Sequence, residues 1–141
     1  MARVKLDLPE RVDFTTEIAI RIGDINYGGH LGNDAVLSLI HEARCRFLVD
    51  RGLSENDLGG VGMVLTDCII QYQSEAFYGE TLRVDIAVDD FSRIGFDLYY
   101  RLCEAGDGRE VARAKTAGTC FDWQKRKAAA LPEGLEGRLR R

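Results

Sequence analysis

Long apolar runs are missing from this sequence of 141 residues. None of its hydrophobic stretches approaches the roughly 18 consecutive apolar residues that a membrane-spanning helix needs, and no basic and apolar leader opens the chain. We therefore expect no membrane association and a cytoplasmic location. Repeats, linkers and low-complexity blocks are also absent, so the sequence predicts a single domain over residues 1–141, close to the modal domain size.

Histidine is scarce too, and neither sign of charge is in large excess. Because the chain has two histidines and four widely spaced cysteines without a C-x-x-C pair, we predict no metal site and no cofactor. The 19 basic and 23 acidic residues give a formal net charge of -4, which provides no electrostatic reason to expect a nucleic-acid partner. The thiols predicted to be free and mostly buried are Cys45, Cys68, Cys103 and Cys120.

What the sequence does contain is one strand, one long helix and then four strands. Strict alternation of apolar and polar residues predicts a half-buried strand over residues 14–22. A helix is predicted over residues 33–50, with Asn33 as its N-cap and Gly52 beyond its end. Its predicted buried face consists of Val36, Leu37, Ile40, Ala43, Phe47 and Leu48.

The second half of the chain alternates repeatedly between apolar and polar residues, which predicts an antiparallel meander. The predicted strands are residues 61–73, 81–90, 94–102 and 111–121. The first of them is long and β-branched, and we expect it to be central in the sheet. Pro132 predicts one short helix near the end. One helix and about five antiparallel strands place the chain in the α+β class, and a sheet covered on one side leaves an edge that favours pairing between subunits.

Residues 21–33, RIGDINYGGHLGN, join the first strand to the helix and are the most informative segment. They place Asp24, Asn26 and His30 beside glycines at a helix start. Such a junction can direct side chains and free helical N–H groups at one point, which suits a reaction that develops negative charge on oxygen. We expect the functional site here.

This junction resembles the signature R-x-x-D-x-D-x-x-G-H-x-x-N of hot-dog-fold acyl-CoA thioesterases of the 4-hydroxybenzoyl-CoA thioesterase type. A helix carrying E-A-R follows in both, here at residues 42–44. Residues 72–82 are similar to a second passage of the family, Y-x-x-P-A-x-Y-G-D-x-L, with Glu75 in the place of the proline and Glu80 in that of the aspartate. The resemblance covers most of the chain. The matching junction residues are Arg21, Asp24, Gly29, His30 and Asn33.

The resemblance implies a hot-dog fold, in which a curved antiparallel sheet wraps one long central helix. It also implies a homodimer or homotetramer that hydrolyses acyl-CoA or a similar pantetheine-linked thioester. The aspartate expected to act as nucleophile or general base falls on Asn26, and a carboxamide can fill neither role, although it can donate a hydrogen bond. His30 then becomes the candidate base, with Glu42 or Asp24 in reserve.

Substrate contacts are predicted on both sides of the thioester. A backbone N–H between Gly29 and Leu31 would stabilise the oxyanion, and the positive charge of Arg93 would meet the phosphates of CoA. Tyr27 and Gly28 complete the predicted substrate-binding residues.

Structural explanations stay open for several of these residues. Asp24 would serve equally well as a loop cap, His30 as a loop-to-helix hydrogen-bonding group, and Glu42 as a salt-bridge partner of an arginine. Two other functions also stay open: non-catalytic binding of acyl-CoA, which the missing aspartate favours, and dehydration of a hydroxyacyl thioester, which needs a histidine and a carboxylate acting together.

Overall fold

The computed structural model describes residues 2–140 and shows one long helix packed against a curved antiparallel sheet. The strands are β1 (Phe14–Ala19), β2 (Gly62–Tyr72), β3 (Thr81–Asp89), β4 (Gly95–Glu104), β5 (Glu110–Asp122) and the two-residue β6 (Lys127–Ala128). The helices are α1 (Asn33–Asp50) and the short α2 (Leu135–Leu139). These elements confirm the predicted α+β class.

The order of the strands across the sheet is β1-β3-β4-β5-β2, with β6 added to β5. Strands β3, β4 and β5 form the predicted meander, but β2 pairs with β5 at the far side and not with β3. The expectation that β2 is central is therefore wrong within one chain, because β2 is an edge strand. It pairs with β5 on one side only, its other edge has no partner among residues 2–140, and much of its length, including Leu65, is exposed.

Strand β2 also switches faces partway along its length. Its pairing with β5 is irregular between Leu65 and Asp67, where one extra residue is inserted. A β-bulge of this kind reverses the alternation of side chains. Met63, before the bulge, is buried, whereas Leu65 and Cys68, around it, are exposed.

Helix α1 has the predicted bounds and packs its apolar side on β1 and β3. Its N-cap is Gly32 and not Asn33, since Gly32 has the extended dihedral angles of a cap and Asn33 is already helical. Leu37 is exposed, whereas Leu39 and Arg44 are buried. The buried arginine was not predicted, because a charged residue is expected inside only when its charge is paired.

The start of the chain differs from the prediction at one further point. Strand β1 ends at Ala19, and the chain turns through a short 3-10 segment, Ile22–Asp24, before the helix. Ile22, the last apolar residue of the predicted strand, is exposed as a result. The ending of β1 brings residues 20–32 across the start of α1, where the candidate site lies.

The cysteines are free, as predicted, but only Cys103 and Cys120 are buried. Cys45 is half-buried and Cys68, on the open inner face of β2, is exposed. Neither helix in the described part of the chain combines the length and apolarity that crossing a membrane requires.

Candidate active site

The loop before α1 is held in place by Asp24, whose side chain is buried. Its carboxylate accepts a hydrogen bond from the backbone N–H of Arg21 at 2.8 Å and also faces the Arg21 guanidinium at 3.4 Å. The backbone carbonyl of Asp24 accepts from the N–H of Gly32 at 3.0 Å. Asp24 thus ties the end of the strand to the start of the helix, and its carboxylate is engaged in that structural task.

Asn26 closes a tight turn with its backbone and its side chain together. The Asn26 N–H donates to the carbonyl of His30 at 2.9 Å, and its carbonyl accepts from Gly29 at 3.1 Å. Gly29 has a φ of 89°, a left-handed conformation that favours glycine. The side-chain oxygen Oδ1 accepts from the N–H groups of Gly28 at 2.9 Å and His30 at 3.4 Å.

These contacts fix the orientation of the Asn26 amide. Rotating the amide by 180° would place its NH₂ group against two N–H donors, so Oδ1 must face the loop. The NH₂ group then faces away from the loop and makes no hydrogen bond to the described residues. Asn26 therefore presents a donor, not an acceptor, to its surroundings.

The backbone N–H groups predicted to form the oxyanion hole are already used inside the loop. Those of Gly28, Gly29 and His30 donate to Asn26, and that of Leu31 donates to the carbonyl of Ala76 at 2.8 Å. The next residues along the chain offer a different donor.

Asn33 supplies that donor at the first position of α1. Its backbone N–H has no acceptor within residues 2–140, whereas the N–H of Asp34 is capped by Asn33 Oδ1 at 2.9 Å. An unpaired N–H at a helix N-terminus, reinforced by the helix dipole, is a suitable donor for an anionic oxygen.

Asn33 lines a cleft of about 320 Å³ at this helix start. Its lining residues are Asn26, His30, Leu31, Asn33, Tyr72, Ser74 and Glu75. The hydroxyl of Tyr72 donates to the carbonyl of Asn33 at 3.0 Å, which joins the end of β2 to the first turn of α1. Burial raises the pKa of Tyr72, so this phenol stays a neutral donor at physiological pH.

His30 lies beside Glu75 in the same cleft, with Nε2 3.8 Å from Oε2. This separation permits an ion pair when the imidazole is protonated, although it is too long for a direct hydrogen bond. Glu75 was not predicted as a site residue, because residue spacing cannot show that the segment after β2 folds back onto the helix start. The available signal was the glutamate in the place of the family's proline.

Six of the predicted site residues do not line this cleft: Asp24, Gly28 and Gly29 belong to the loop beside it, and Glu42, Tyr27 and Arg93 lie elsewhere. Glu42 forms a salt bridge with Arg46 at 2.7 Å and lines a separate depression between α1 and β1. Tyr27 is fully exposed on the opposite side of its loop, and Arg93 is exposed in the turn between β3 and β4. The structure thus brings Asn26, His30 and Asn33 together but does not add the helical carboxylate to them.

One group of residues outside the cleft could hold a metal. His41, Cys45 and Glu55 each offer one ligand atom, and these atoms lie within 4.8 Å of one another. In the cleft itself, the donors and the imidazole suit polarisation of a carbonyl group and proton transfer to or from a water molecule.

Comparison with known proteins gives consistent matches over most of the chain. A family model described as the thioesterase-like superfamily matches residues 20–139. A 1,4-dihydroxy-2-naphthoyl-CoA hydrolase from Synechococcus elongatus is 28% identical over 128 residues, covering 88% of this chain and 93% of that protein. The hydrolase of the same name from Microcystis aeruginosa is 30% identical over 123 residues, covering 85% and 88%.

The fold agrees with these matches. The crystal structure of a 1,4-dihydroxy-2-naphthoyl-CoA thioesterase from Synechocystis superposes with a TM-score of 0.81 at 26% identity, covering 89% of this chain and 94% of that one. The predicted hot-dog fold is confirmed. Since the family model spans nearly the whole chain, from the end of the first strand to the last helix, this protein belongs to the thioesterase-like superfamily of hot-dog proteins.

Proposed function

We propose that this protein hydrolyses an acyl-CoA thioester in the cleft at the start of α1. The observation that carries the proposal is the unpaired N–H of Asn33, which lies in one cleft with the outward-facing amide of Asn26 and with the imidazole of His30. The prediction of an acyl-CoA thioester hydrolase is confirmed for the reaction class by the family and by the relatives named as hydrolases.

In this mechanism the thioester carbonyl oxygen points at the helix start. Water adds to the carbonyl carbon, and the N–H of Asn33 and the NH₂ group of Asn26 donate to the oxyanion that forms. Both donors are held in place before substrate binds, so little reorganisation opposes their action. Collapse of the tetrahedral intermediate breaks the C–S bond and releases the acid and the CoA thiol.

His30 is the base in this scheme. Its imidazole accepts the proton of the attacking water and returns it to the departing thiolate. The carboxylate of Glu75, 3.8 Å away, stabilises the imidazolium that exists between the two steps. Asp24 is not needed for the chemistry because its oxygens serve the loop, and Glu42 is paired with Arg46.

The names of the relatives suggest which acyl groups to test first. Bicyclic aromatic groups such as 1,4-dihydroxy-2-naphthoyl are the substrates of those proteins by name. We expect an aromatic acyl-CoA to be the better substrate here as well, with the half-exposed ring of Tyr72 at the cleft wall. The exposed charge of Arg93 remains available to the phosphates of CoA, and the cytoplasmic location stays a prediction.

A second copy of the chain is the partner that the open edge of the sheet suits. Strand β2 is eleven residues long and has no neighbour on its outer edge within the described chain, and its inner face exposes Leu65, Cys68 and Tyr72. Exposed edges of this length are rarely left unpaired. We expect a homodimer that pairs through β2, or a homotetramer made of two such dimers. Sedimentation at the mass of a single chain would contradict this.

Steady-state hydrolysis tests the proposal directly. A panel of aromatic and aliphatic acyl-CoA substrates is followed by the release of free thiol. We expect turnover by the parent, a loss of about 100-fold or more in kcat for Asn26→Ala and His30→Gln, and parental activity for Glu42→Gln. Tight binding of acyl-CoA without thiol release would instead identify a non-catalytic binding protein.

The approach of His30 to Glu75 supports one second candidate, the dehydration of a hydroxyacyl thioester. That reaction needs a histidine and a carboxylate in one cleft, which the structure provides at 3.8 Å. Product analysis with a 3-hydroxyacyl-CoA separates the two reactions. An enoyl thioester identifies a dehydratase, and a free thiol identifies a hydrolase.

A further inference from the structure

We propose that His41, Cys45 and Glu55 form a binding site for a divalent transition-metal ion, with zinc as the ion that best suits the donors. The ligand atoms of the three residues lie within 4.8 Å of one another, outside the cleft described above. The sequence predicted no metal site because it lacks a C-x-x-C pair, but the fold assembles one donor of each kind from two segments.

Two of the ligands share one face of α1. His41 and Cys45 are four residues apart on this helix, a spacing that places side chains one above the other. Both positions lie in the interior of an eighteen-residue helix, so the backbone that carries them is rigid. The imidazole is exposed and the thiol is half-buried, which leaves the site open to ions from solvent.

The third ligand is held by the segment that follows the helix. Residues Ser54 and Asp57 exchange two backbone hydrogen bonds of 3.1 Å, and the carbonyl of Glu55 accepts from the N–H of Met63 at 2.7 Å. The backbone of Glu55 is therefore fixed on both sides, next to the start of β2.

Arg44 orients the carboxylate of Glu55 from behind. Its Nε donates to Oε1 at 2.5 Å, while its NH1 donates to the hydroxyl of Tyr100 at 3.1 Å. Oε1 is thereby occupied and Oε2 is turned toward His41, whose Nε2 lies 3.5 Å from it. Hydrogen bonds that position a ligating carboxylate are a regular feature of metal sites.

The donor set selects the class of ion. One imidazole nitrogen, one thiolate sulfur and one carboxylate oxygen suit zinc or cobalt, whereas magnesium and calcium prefer oxygen alone. Three protein ligands leave a fourth tetrahedral position for water. Charge is favourable as well, because the thiolate and the carboxylate together outweigh the single positive charge of Arg44.

Binding at this site must release a proton. Metal ions bind cysteine as the thiolate, so the thiol proton must leave when an ion binds. A metal ion displaces that proton, and the affinity consequently increases with pH. Occupancy links the middle of α1 to the turn at residues 54–57, which stabilises the folded chain by mass action.

Cobalt is the probe that tests the site, because its spectrum reports both the ligands and the geometry. Co²⁺ is titrated into the full-length chain without a histidine tag. We expect one equivalent to produce a thiolate-to-cobalt charge-transfer band and the visible bands of tetrahedral coordination, both abolished by excess Zn²⁺. His41→Gln and Cys45→Ser should each remove the charge-transfer band or weaken Co²⁺ binding at least tenfold.

Matched controls come from the rest of the chain. His30→Gln removes the other histidine and Cys68→Ser removes the exposed thiol, and both variants should keep the parental spectrum. Zn²⁺ should raise the Tm of the parent but not that of Cys45→Ser. Absence of a thiolate band in the parent, its persistence in Cys45→Ser or its loss in Cys68→Ser would each overturn the proposal. None of these results depends on thioesterase activity.

Discussion

The side-chain oxygen of Asn26 is turned into its own loop, where it accepts a hydrogen bond of 2.9 Å from the N–H of Gly28. A second, longer contact from the N–H of His30 holds the same oxygen. The amide NH₂ is therefore the group of this side chain that remains available as a donor, and Asn26 lines the cleft. A carboxylate in this position would keep one oxygen on the loop and present the other, negatively charged, to the substrate.

Asn26→Asp tests whether that NH₂ group acts as a donor. We expect kcat to decrease about 100-fold at neutral pH, because an anionic oxygen repels the oxyanion that the amide stabilises. Backbone N–H groups that donate to a carboxylate lower its pKa, so the variant stays anionic across the neutral range, and acidification should not rescue it because the scheme also needs a neutral imidazole as base. Asn26→Ala should be impaired at every pH. A faster Asn26→Asp enzyme would show that the position works best as a base.

The N–H of Asn33 can be removed without disturbing the helix. Asn33 is the first residue of α1, where proline is well tolerated, and Gly32 has φ -70° and ψ 147°, the conformation that a residue before proline prefers. We expect Asn33→Pro to fold normally and to lose about 100- to 1,000-fold in kcat, the usual effect of deleting one oxyanion donor. Acyl-CoA hydrolysis and thermal unfolding provide the two measurements.

Asn33→Ala is the matched control for this variant. It retains the backbone N–H but loses the hydrogen bond from the N–H of Asp34 to Asn33 Oδ1, so it reports the contribution of the side chain alone. We expect nearly parental kcat and a small loss of stability. Equal activity in the proline and alanine variants would exclude the Asn33 N–H from catalysis.

The sequence predicted the elements of this fold well because their signals are local. Helix α1 begins and ends where the pattern of apolar residues places it, and Gly52, with a φ of 73°, follows its end. Non-local features could not be predicted in this way. The pairing of β2 with β5, the bulge near Leu65 and the burial of Arg44 all depend on which segments meet in space.

The same distinction applies to the candidate site. The motif located the loop and its polar residues, since Asn26 and His30 are close in sequence. The motif predicted that backbone N–H groups of residues 29–31 bind the oxyanion. In the structure these N–H groups donate within the loop and to the carbonyl of Ala76, which the sequence does not show. Glu75 and Asn33 belong to the site because the end of β2 packs against the helix start, a contact that the sequence does not show.

Close approach of β4 and β5 makes Gly95 irreplaceable. A Cβ atom added at Gly95 would lie 2.1 Å from the backbone oxygen of Gly118, so the two strands would have to separate. We expect Gly95→Ala to destabilise the protein by about 2 to 3 kcal/mol in urea unfolding. Gly118→Ala meets the end of the flexible Met63 side chain at 2.7 Å and should cost less than half as much. Equal losses would show that the backbone contact is not limiting.

Arg44 is the buried charge on which the interior of the sheet depends. Its side chain is 5% exposed and pairs with Glu55, which is 28% exposed, while the hydroxyl of Tyr100 links it to Thr116 at 2.7 Å. Arg44→Ala leaves the carboxylate without its cation, and we expect the free energy of unfolding to decrease by about 3 kcal/mol, at the lower end of the range for buried pairs because Glu55 reaches solvent.

Two comparison variants calibrate this loss. Tyr100→Phe removes one hydrogen-bonding group and should cost about 1 kcal/mol. Arg83→Ala, which removes an exposed arginine 3.5 Å from the half-buried Asp85, should change stability by less than about 0.5 kcal/mol, because Asp85 keeps its hydrogen bond from Thr15. If Arg44→Ala unfolds at the same urea concentration as Arg83→Ala, the buried pair contributes no more than the pair of an exposed arginine.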